Sequence, residues 1–193
     1  MLYRFLRGVF RLMFSVMFRL KAEGRENIPK EGAVVLCANH TSNWDPPVLG
    51  SLLERKVHYM AKAELFELPV LKQVLPRIGA FPVKRGGVSK DSIRLSLQLL
   101  KNGEIIGVFP EGTRSNAGGM GKKGAASLAL KSGATVIPAA IIGNYSLFRP
   151  MKVVYGPAID ISEFADAGSE GLEQATDKIM TVIREMVRRH ESK

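Results

Sequence analysis

The sequence predicts a single α/β domain, a mixed and largely parallel sheet flanked by helices, preceded by an N-terminal amphipathic helix. Three observations predict it. Short apolar runs alternate with segments of helical periodicity, the pattern of βα layering. Three of those runs break into polar loops bearing glycine or proline, at residues 39–46, 84–87 and 110–115. Open α/β sheets collect such strand ends along one edge, where ligands bind. Finally, residues 1–20 carry arginines on one stripe and bulky apolar side chains over the remainder.

That first segment divides the chain into an expected membrane-association segment, 1–21, and a globular domain, 22–193. At about 100° per residue, Arg4, Arg7, Arg11, Ser15 and Arg19 fall along one narrow stripe, with apolar residues around the wide rest. The longest charge-free run is residues 12–18, short of the roughly 20 apolar residues that a spanning helix needs. There is also no h-region with a small-residue cleavage site. The pattern predicts a helix lying in the membrane interface; the competing reading is a long helix packed on the domain's own core.

Residues 21–32 are polar and read as a connector with one short strand. A buried strand is expected at 33–38, then the loop Asn39-His40-Thr41-Ser42-Asn43-Trp44-Asp45-Pro46, then a helix at 47–53 with Asp45 near its start. Residues 57–60 read as a strand, and 62–66 and 70–75 as short helical pieces interrupted by Pro69 and closed by Pro76. A short strand at 78–83 leads to Lys84-Arg85-Gly86-Gly87. Ser89 is a candidate cap for a helix at 90–101, with Ile93, Leu97 and Leu100 on one face. A buried strand at 104–109 runs into Pro110-Glu111-Gly112-Thr113-Arg114-Ser115. A helix is expected at 122–132 and a strand at 135–142, where Pro138 argues for an edge, a bulge or a strand end. Short strands at 152–155 and 158–161 precede a last helix at 169–190, acidic at its start and basic at its end, which complements the macrodipole.

Length and composition narrow the partners. The 193 residues suit one domain with a full core. The lone cysteine, Cys37, excludes an internal disulfide and a Cys-rich metal cluster, and it fits reduced, cytosolic surroundings. The net charge of +10 points to a polyanion: nucleic acid, an anionic bilayer or an acidic carrier protein. No RNA-binding aromatic motif or zinc-finger spacing accompanies it, which ranks nucleic acid below membrane.

The chemistry sits in the three loops. His40 is a candidate general base and Asp45 a carboxylate able to orient it. Arg85 and Arg114, with Lys84 a further candidate, lie beside glycines that let backbone N–H groups approach a phosphate. Glu111 adds a second carboxylate. The glycine-rich stretch 118–124 lacks the spacing and the Ser or Thr of a nucleotide-binding loop, although Lys122 and Lys123 remain candidates for attracting an anionic headgroup or carrier. Cys37, inside an apolar strand, reads as a core thiol. His58 and His190 lack metal-ligand spacing.

Four blocks in order carry a resemblance. The His40–Asp45 loop, with its four intervening residues, resembles the first block of the glycerolipid acyltransferase family. Gly79-Ala80-Phe81-Pro82-Val83-Lys84-Arg85 resembles the second, with proline where many members carry an aromatic. Phe109-Pro110-Glu111-Gly112-Thr113-Arg114-Ser115 matches the third, and Val136-Ile137-Pro138-Ala139 resembles the fourth. Lys62-Ala63-Glu64-Leu65 is similar to a segment found after the first block. Within the family the chain resembles the bacterial 1-acyl-glycerol-3-phosphate acyltransferases.

The resemblance implies transfer of a fatty acyl group from a thioester, acyl-carrier protein or coenzyme A, to the free hydroxyl of lysophosphatidic acid, with no cofactor, metal or covalent intermediate. It implies His40 and Asp45 as the catalytic pair, and Arg85, Glu111, Gly112, Thr113 and Arg114 as the glycerol-phosphate site, with Lys62 and Lys84 as further candidates. The expected location is peripheral or monotopic, at an anionic membrane surface on the cytoplasmic face, with no nucleic-acid partner. Acylation of glycerol-3-phosphate or another lysolipid, hydrolysis on the same dyad, and non-enzymatic lipid binding stay open.

Overall fold

Val34, Leu36 and Ala38 point to one face of a seven-stranded sheet, and Val35 and Cys37 to the other. The two-residue period of a strand puts alternate side chains on opposite faces, so a strand apolar at every position has to lie in the middle with both faces covered. The computed structural model describes residues 2–83, 90–110 and 123–191. In chain order its elements are α1 (Leu2–Met17), β1 (Lys21–Glu23), β2 (Val34–Ala38), α2 (Asp45–Leu52), β3 (Val57–Lys62), α3 (Pro69–Arg77), β4 (Ala80–Val83), α4 (Lys90–Lys101), β5 (Ile105–Val108), α5 (Gly124–Ser132), β6 (Thr135–Ile142), β7 (Lys152–Tyr155) and α6 (Gly168–Glu191).

The sheet order is β1-β7-β6-β2-β5-β3-β4, parallel throughout except for the antiparallel β6–β7 pair. Side chains of α1 and α2 (Phe14, Val48, Leu49, Leu52) fill the core on one face. Those of α4, α5 and α6 (Leu100, Leu128, Ile179, Ile183) fill it on the other. Because β2, β5, β3 and β4 run the same way, their C-terminal ends share one edge. The loop after β2 starts there, and β4 and β5 end there at Val83 and Val108.

Several expectations need correction. Pro138 lies inside β6, which is paired on both sides, with β2 and β7. Pairing to β7 begins at Ala139↔Tyr155, and Gly156 N–H still donates to the Pro138 carbonyl at 2.8 Å. The missing proline donor therefore falls just past the end of the ladder, where no partner strand needs it. The expected strand at 158–161 reduces to one bridge, Val136↔Ile159. Pro69 opens α3 rather than interrupting it, since an N–H at a helix start has no intrahelical acceptor. Helix α4 buries Leu100 and packs Leu97 half-buried against the core as expected, and it also buries Ser92 and Ser96. Its two serines return their hydroxyls to backbone carbonyls, Ser96 to Ser92 at 2.8 Å and Ser92 to Pro82 at 3.3 Å, which makes them tolerable in a close contact. Ser89 lies outside the described residues.

Helix α1 divides into three sectors. Phe10, Met13, Phe14 and Met17 pack on the core. Arg4, Arg11 and Ser15 form an exposed polar stripe. Leu2, Phe5, Val9, Leu12 and Val16 form an exposed apolar stripe, with Phe5 67% and Leu12 68% accessible. Arg7 leaves the arginine stripe that the sequence predicts: its guanidinium donates to the Leu53 carbonyl at 2.9 Å and to that of Glu54, closing the end of α2. Among the described residues no helix is long and apolar enough to cross a membrane.

Candidate active site

The loop after β2 turns at once into α2, and its conformation is held from both ends. Asn39, buried, donates to the Ile141 carbonyl at 3.0 Å and accepts from the Ile141 N–H at 2.8 Å, which welds the end of β2 to β6. Pro46 and Pro47 occupy the first turn of α2, where their fixed φ suits a helix start. Between these anchors His40 and Asp45 face each other.

His40 Nδ1 lies 2.7 Å from Asp45 Oδ2, and the Asp45 side chain is fully buried while that of His40 is 22% accessible. The backbone N–H groups of Thr41 and Ser42 donate to the same Oδ2 at 2.6 and 2.7 Å. Oδ1 accepts from the Tyr145 hydroxyl at 2.5 Å and from the Thr41 hydroxyl at 3.3 Å. Burial by itself pushes the Asp45 carboxyl up; the hydrogen bonds from His40, Ser42, Tyr145 and Thr41 together outweigh it and hold the group below the usual carboxylate value. Asp45 also sits at the positive end of α2. The result is a buried anion with donors on both oxygens, able to fix the tautomer of His40 and to stabilise its cation.

The imidazole stacks on Phe109, ring centroids 4.3 Å apart and planes 24° from parallel. Phe109 stacks in turn on Tyr59 at 6.3 Å. The end of β5 thus leans directly on His40, and that strand runs toward Glu111, Gly112, Thr113 and Arg114. Those four, with Lys84 and Arg85 after β4, lie outside the described residues. Lys62 closes β3 at the same edge and is exposed. Lys123 takes a different part: its ammonium pairs with Glu173 and donates to Ser169, each at 2.7 Å, so it braces α6. Cys37 is wholly buried, and burial pushes its thiol up to about 12, which makes it inert. His58 is drawn to Glu104 at 3.6 Å, with burial lowering its pKa.

Two site residues escaped the sequence reading. Tyr145 lies 100 positions from Asp45, and its only local sign is a tyrosine just past the strand that follows the third loop. Tyr59 is the other. Its hydroxyl is buried with no hydrogen-bond partner among the described residues, and its ring lies against Gly107, where an added Cβ would come within 2.1 Å of it. Tyr59 lines a cavity of about 500 Å³ between α1, α2, β3 and α3, whose wall includes Phe10, Trp44, Pro47, Gly50 and Val74. Trp44 belongs to the His40 loop, so the cavity reaches the dyad's own loop. The size lies within the ~300–1,000 Å³ of ligand pockets, and the wall is apolar. Among the described residues no group of three or more His, Cys, Asp or Glu is placed to hold a metal ion.

The chain is similar to known proteins along most of its length. The 1-acyl-sn-glycerol-3-phosphate acyltransferase of Bacillus subtilis is 34% identical over 192 residues, 96% of each chain. The protein of the same name from Streptococcus pneumoniae is 28% identical over 94% of this chain and 71% of its own. The crystal structure of the 1-acyl-sn-glycerophosphate (LPA) acyltransferase PlsC from Thermotoga maritima superposes with a TM-score of 0.74 at 25% identity, covering all of this chain and 79% of that one. The sequence profile of the Acyltransferase family matches residues 19–142, from the end of α1 to the end of β6, and so spans the His40 loop and every strand end beside it. On that match, and on the extent of the B. subtilis likeness, the chain belongs to the acyltransferase family.

Proposed function

We propose that the protein is a 1-acylglycerol-3-phosphate O-acyltransferase, moving a fatty acyl group from a thioester to the sn-2 hydroxyl of 1-acyl-glycerol-3-phosphate and forming phosphatidic acid for phospholipid synthesis. The relatives named above carry that activity in their names. The observation that carries the reading to residues is the 2.7 Å bond between His40 Nδ1 and buried Asp45. With Nδ1 given to Asp45, Nε2 is the nitrogen that receives the proton of the acceptor hydroxyl as its oxygen attacks the thioester carbonyl. Asp45 stabilises the imidazolium that forms. The tetrahedral adduct collapses, the carbon–sulfur bond breaks, and the proton passes from His40 to the departing thiolate. An ester and a free thiol result, with atoms and charge balanced and no cofactor consumed.

Arg85, Glu111, Gly112, Thr113 and Arg114, with Lys62 and Lys84 as further candidates, hold the glycerol phosphate in this reading. The support is that β5 pairs with β2, that β3 and β4 continue the same parallel order beyond it, and that Phe109 stacks on His40. The apolar cavity behind Trp44 and Gly50 takes the acyl chain. The donor is acyl-acyl-carrier protein or acyl-coenzyme A, both anionic and suited to a chain of net charge +10. The exposed apolar stripe of α1 supports work at a membrane surface, peripheral or monotopic, on the cytoplasmic side where acyl thioesters are made.

The test is incubation of purified protein with acyl thioester and lysophosphatidate. Phosphatidate with one equivalent of free thiol is the expected product. Free fatty acid instead would make it a hydrolase, and no turnover a lipid-binding protein. Glycerol-3-phosphate as competing acceptor separates the two phosphoglycerol substrates.

A further inference from the structure

Residues 143–151 join β6 to β7, and side chains of this segment point both inward and outward. Tyr145 reaches in to Asp45 and packs its ring edge-on against Phe18 at 5.4 Å. Two residues on, Leu147 and Phe148 turn outward, 60% and 67% accessible. Phe148 adopts φ 62°, a left-handed conformation uncommon for a bulky residue. It is held there by its own N–H, which donates to the Met17 carbonyl at the end of α1 at 2.6 Å, and by the Arg149 N–H bonding to Ser146 at 3.1 Å. A backbone held in an unfavoured region, with its aromatic side chain aimed at solvent, suggests a function for that side chain.

The surroundings identify the occupant. Met151 N–H bonds to Phe18 and Lys21 N–H to Met151, at 2.9 and 3.0 Å, so this segment lies alongside residues 17–21. Leu147 and Phe148 therefore extend the end of α1's exposed stripe, where Val16 is 60% accessible. Arg19 and Arg149, both exposed, lie on the same paired segments. Apolar side chains beside a cationic collar match a bilayer with anionic headgroups, which accepts the apolar groups below its phosphates and the guanidiniums among them.

We propose that Leu147 and Phe148 form a second lipid-inserting element, distinct from α1, which seats the membrane surface two residues from the tyrosine that holds Asp45. This rests on the reading that α1 lies on a membrane. It adds that the protein grips the bilayer at two points, and that one of them is the loop bearing Tyr145.

The experiment is sedimentation with vesicles of phosphatidylglycerol and phosphatidylethanolamine, using the full chain. L147S/F148S is expected to weaken partitioning by about tenfold or more, while L95S, on the opposite face of the sheet, leaves it unchanged. In a second measurement F148W, compared with a variant also lacking the native tryptophan (W44F/F148W), is expected to show blue-shifted emission when vesicles are added. Far-ultraviolet circular dichroism verifies folding of each variant. Wild-type partitioning by L147S/F148S together with unshifted F148W emission overturns the proposal. If L12S/V16S nevertheless loses binding, the α1 reading survives alone; if the wild type does not bind vesicles, both fall. A shift caused by a soluble acidic carrier protein but not by vesicles assigns the patch to a protein partner and likewise overturns it.

Discussion

Tyr145 donates its hydroxyl proton to Oδ1 of Asp45 at 2.5 Å, while His40 occupies Oδ2 at 2.7 Å. One buried carboxylate therefore joins the loop after β2 to the loop after β6, and through Tyr145's packing on Phe18 it reaches the end of α1.

Substituting His40 tests the dyad most directly. H40A is expected to lower kcat by roughly 10²–10⁴, the usual contribution of a positioned base, with an unchanged circular dichroism spectrum. Near-normal acyl transfer by the folded variant would refute a base at this position.

Tyr145→Phe keeps the ring against Phe18 and removes only the hydroxyl. A hydrogen bond to a charged group contributes about 1.5–3 kcal/mol, so kcat is expected to fall about tenfold or more while KM for the thioester stays within about twofold. A purely structural tyrosine would instead show lowered Tm with kcat intact.

Stability should fall in acid because of Asp45. Its native pKa lies below the reference value of 3.8, so the folded form binds the proton less readily than the unfolded chain. The stabilisation is complete well above pH 3.8, is lost as pH drops through the native value, and is absent below it. Urea midpoints of wild type and D45N, measured from pH 7 down to 3, should converge on the acid side; a constant gap would contradict the assignment.

Gly50 faces Tyr59 across the cavity, and a Cβ there would meet the ring at an ordinary 3.6 Å. G50L should fold, since leucine is favoured over glycine in a helix by about 0.8–1 kcal/mol, and its side chain should fill the cavity. Competition between long and short saturated acyl thioesters is expected to move toward the short ones by about tenfold. An unchanged preference would mean that the chain binds elsewhere.

Tyr59 carries a buried hydroxyl with no partner among the described residues. Tyr59→Phe removes that unsatisfied group, which costs about 1–3 kcal/mol when left unbonded, and should raise the unfolding midpoint of the unliganded protein. A lower midpoint would mean that the hydroxyl is satisfied in solution.

Much of this was readable from local chemistry. The apolar run at 34–38 and the Pro-Pro start of α2 predicted a strand, a loop and a helix in succession, which places His40 and Asp45 on one short loop. Apart from 158–161, the strands and helices of the α/β pattern were likewise legible, because period and turn residues act over a few positions. What failed depended on neighbours. Pro138 argued for an edge, a bulge or a strand end because the sequence does not state where the β7 ladder stops. Arg7 looked like a headgroup contact until α2 ended within its reach.

The sequence by itself determined the family and the strand, loop and helix that carry His40 and Asp45, since blocks of adjacent residues encode both. It also determined that α1 is apolar over a wide arc. Only tertiary structure divided that arc into a face packed on the core and a face left exposed, because burial depends on what lies opposite. Only the sheet order, with β6 beside β2, could carry Tyr145 back across 100 residues to Asp45 and complete the environment of the dyad. A contact of that range comes from topology, and topology is set by which strands pair, which no local stretch of the chain encodes.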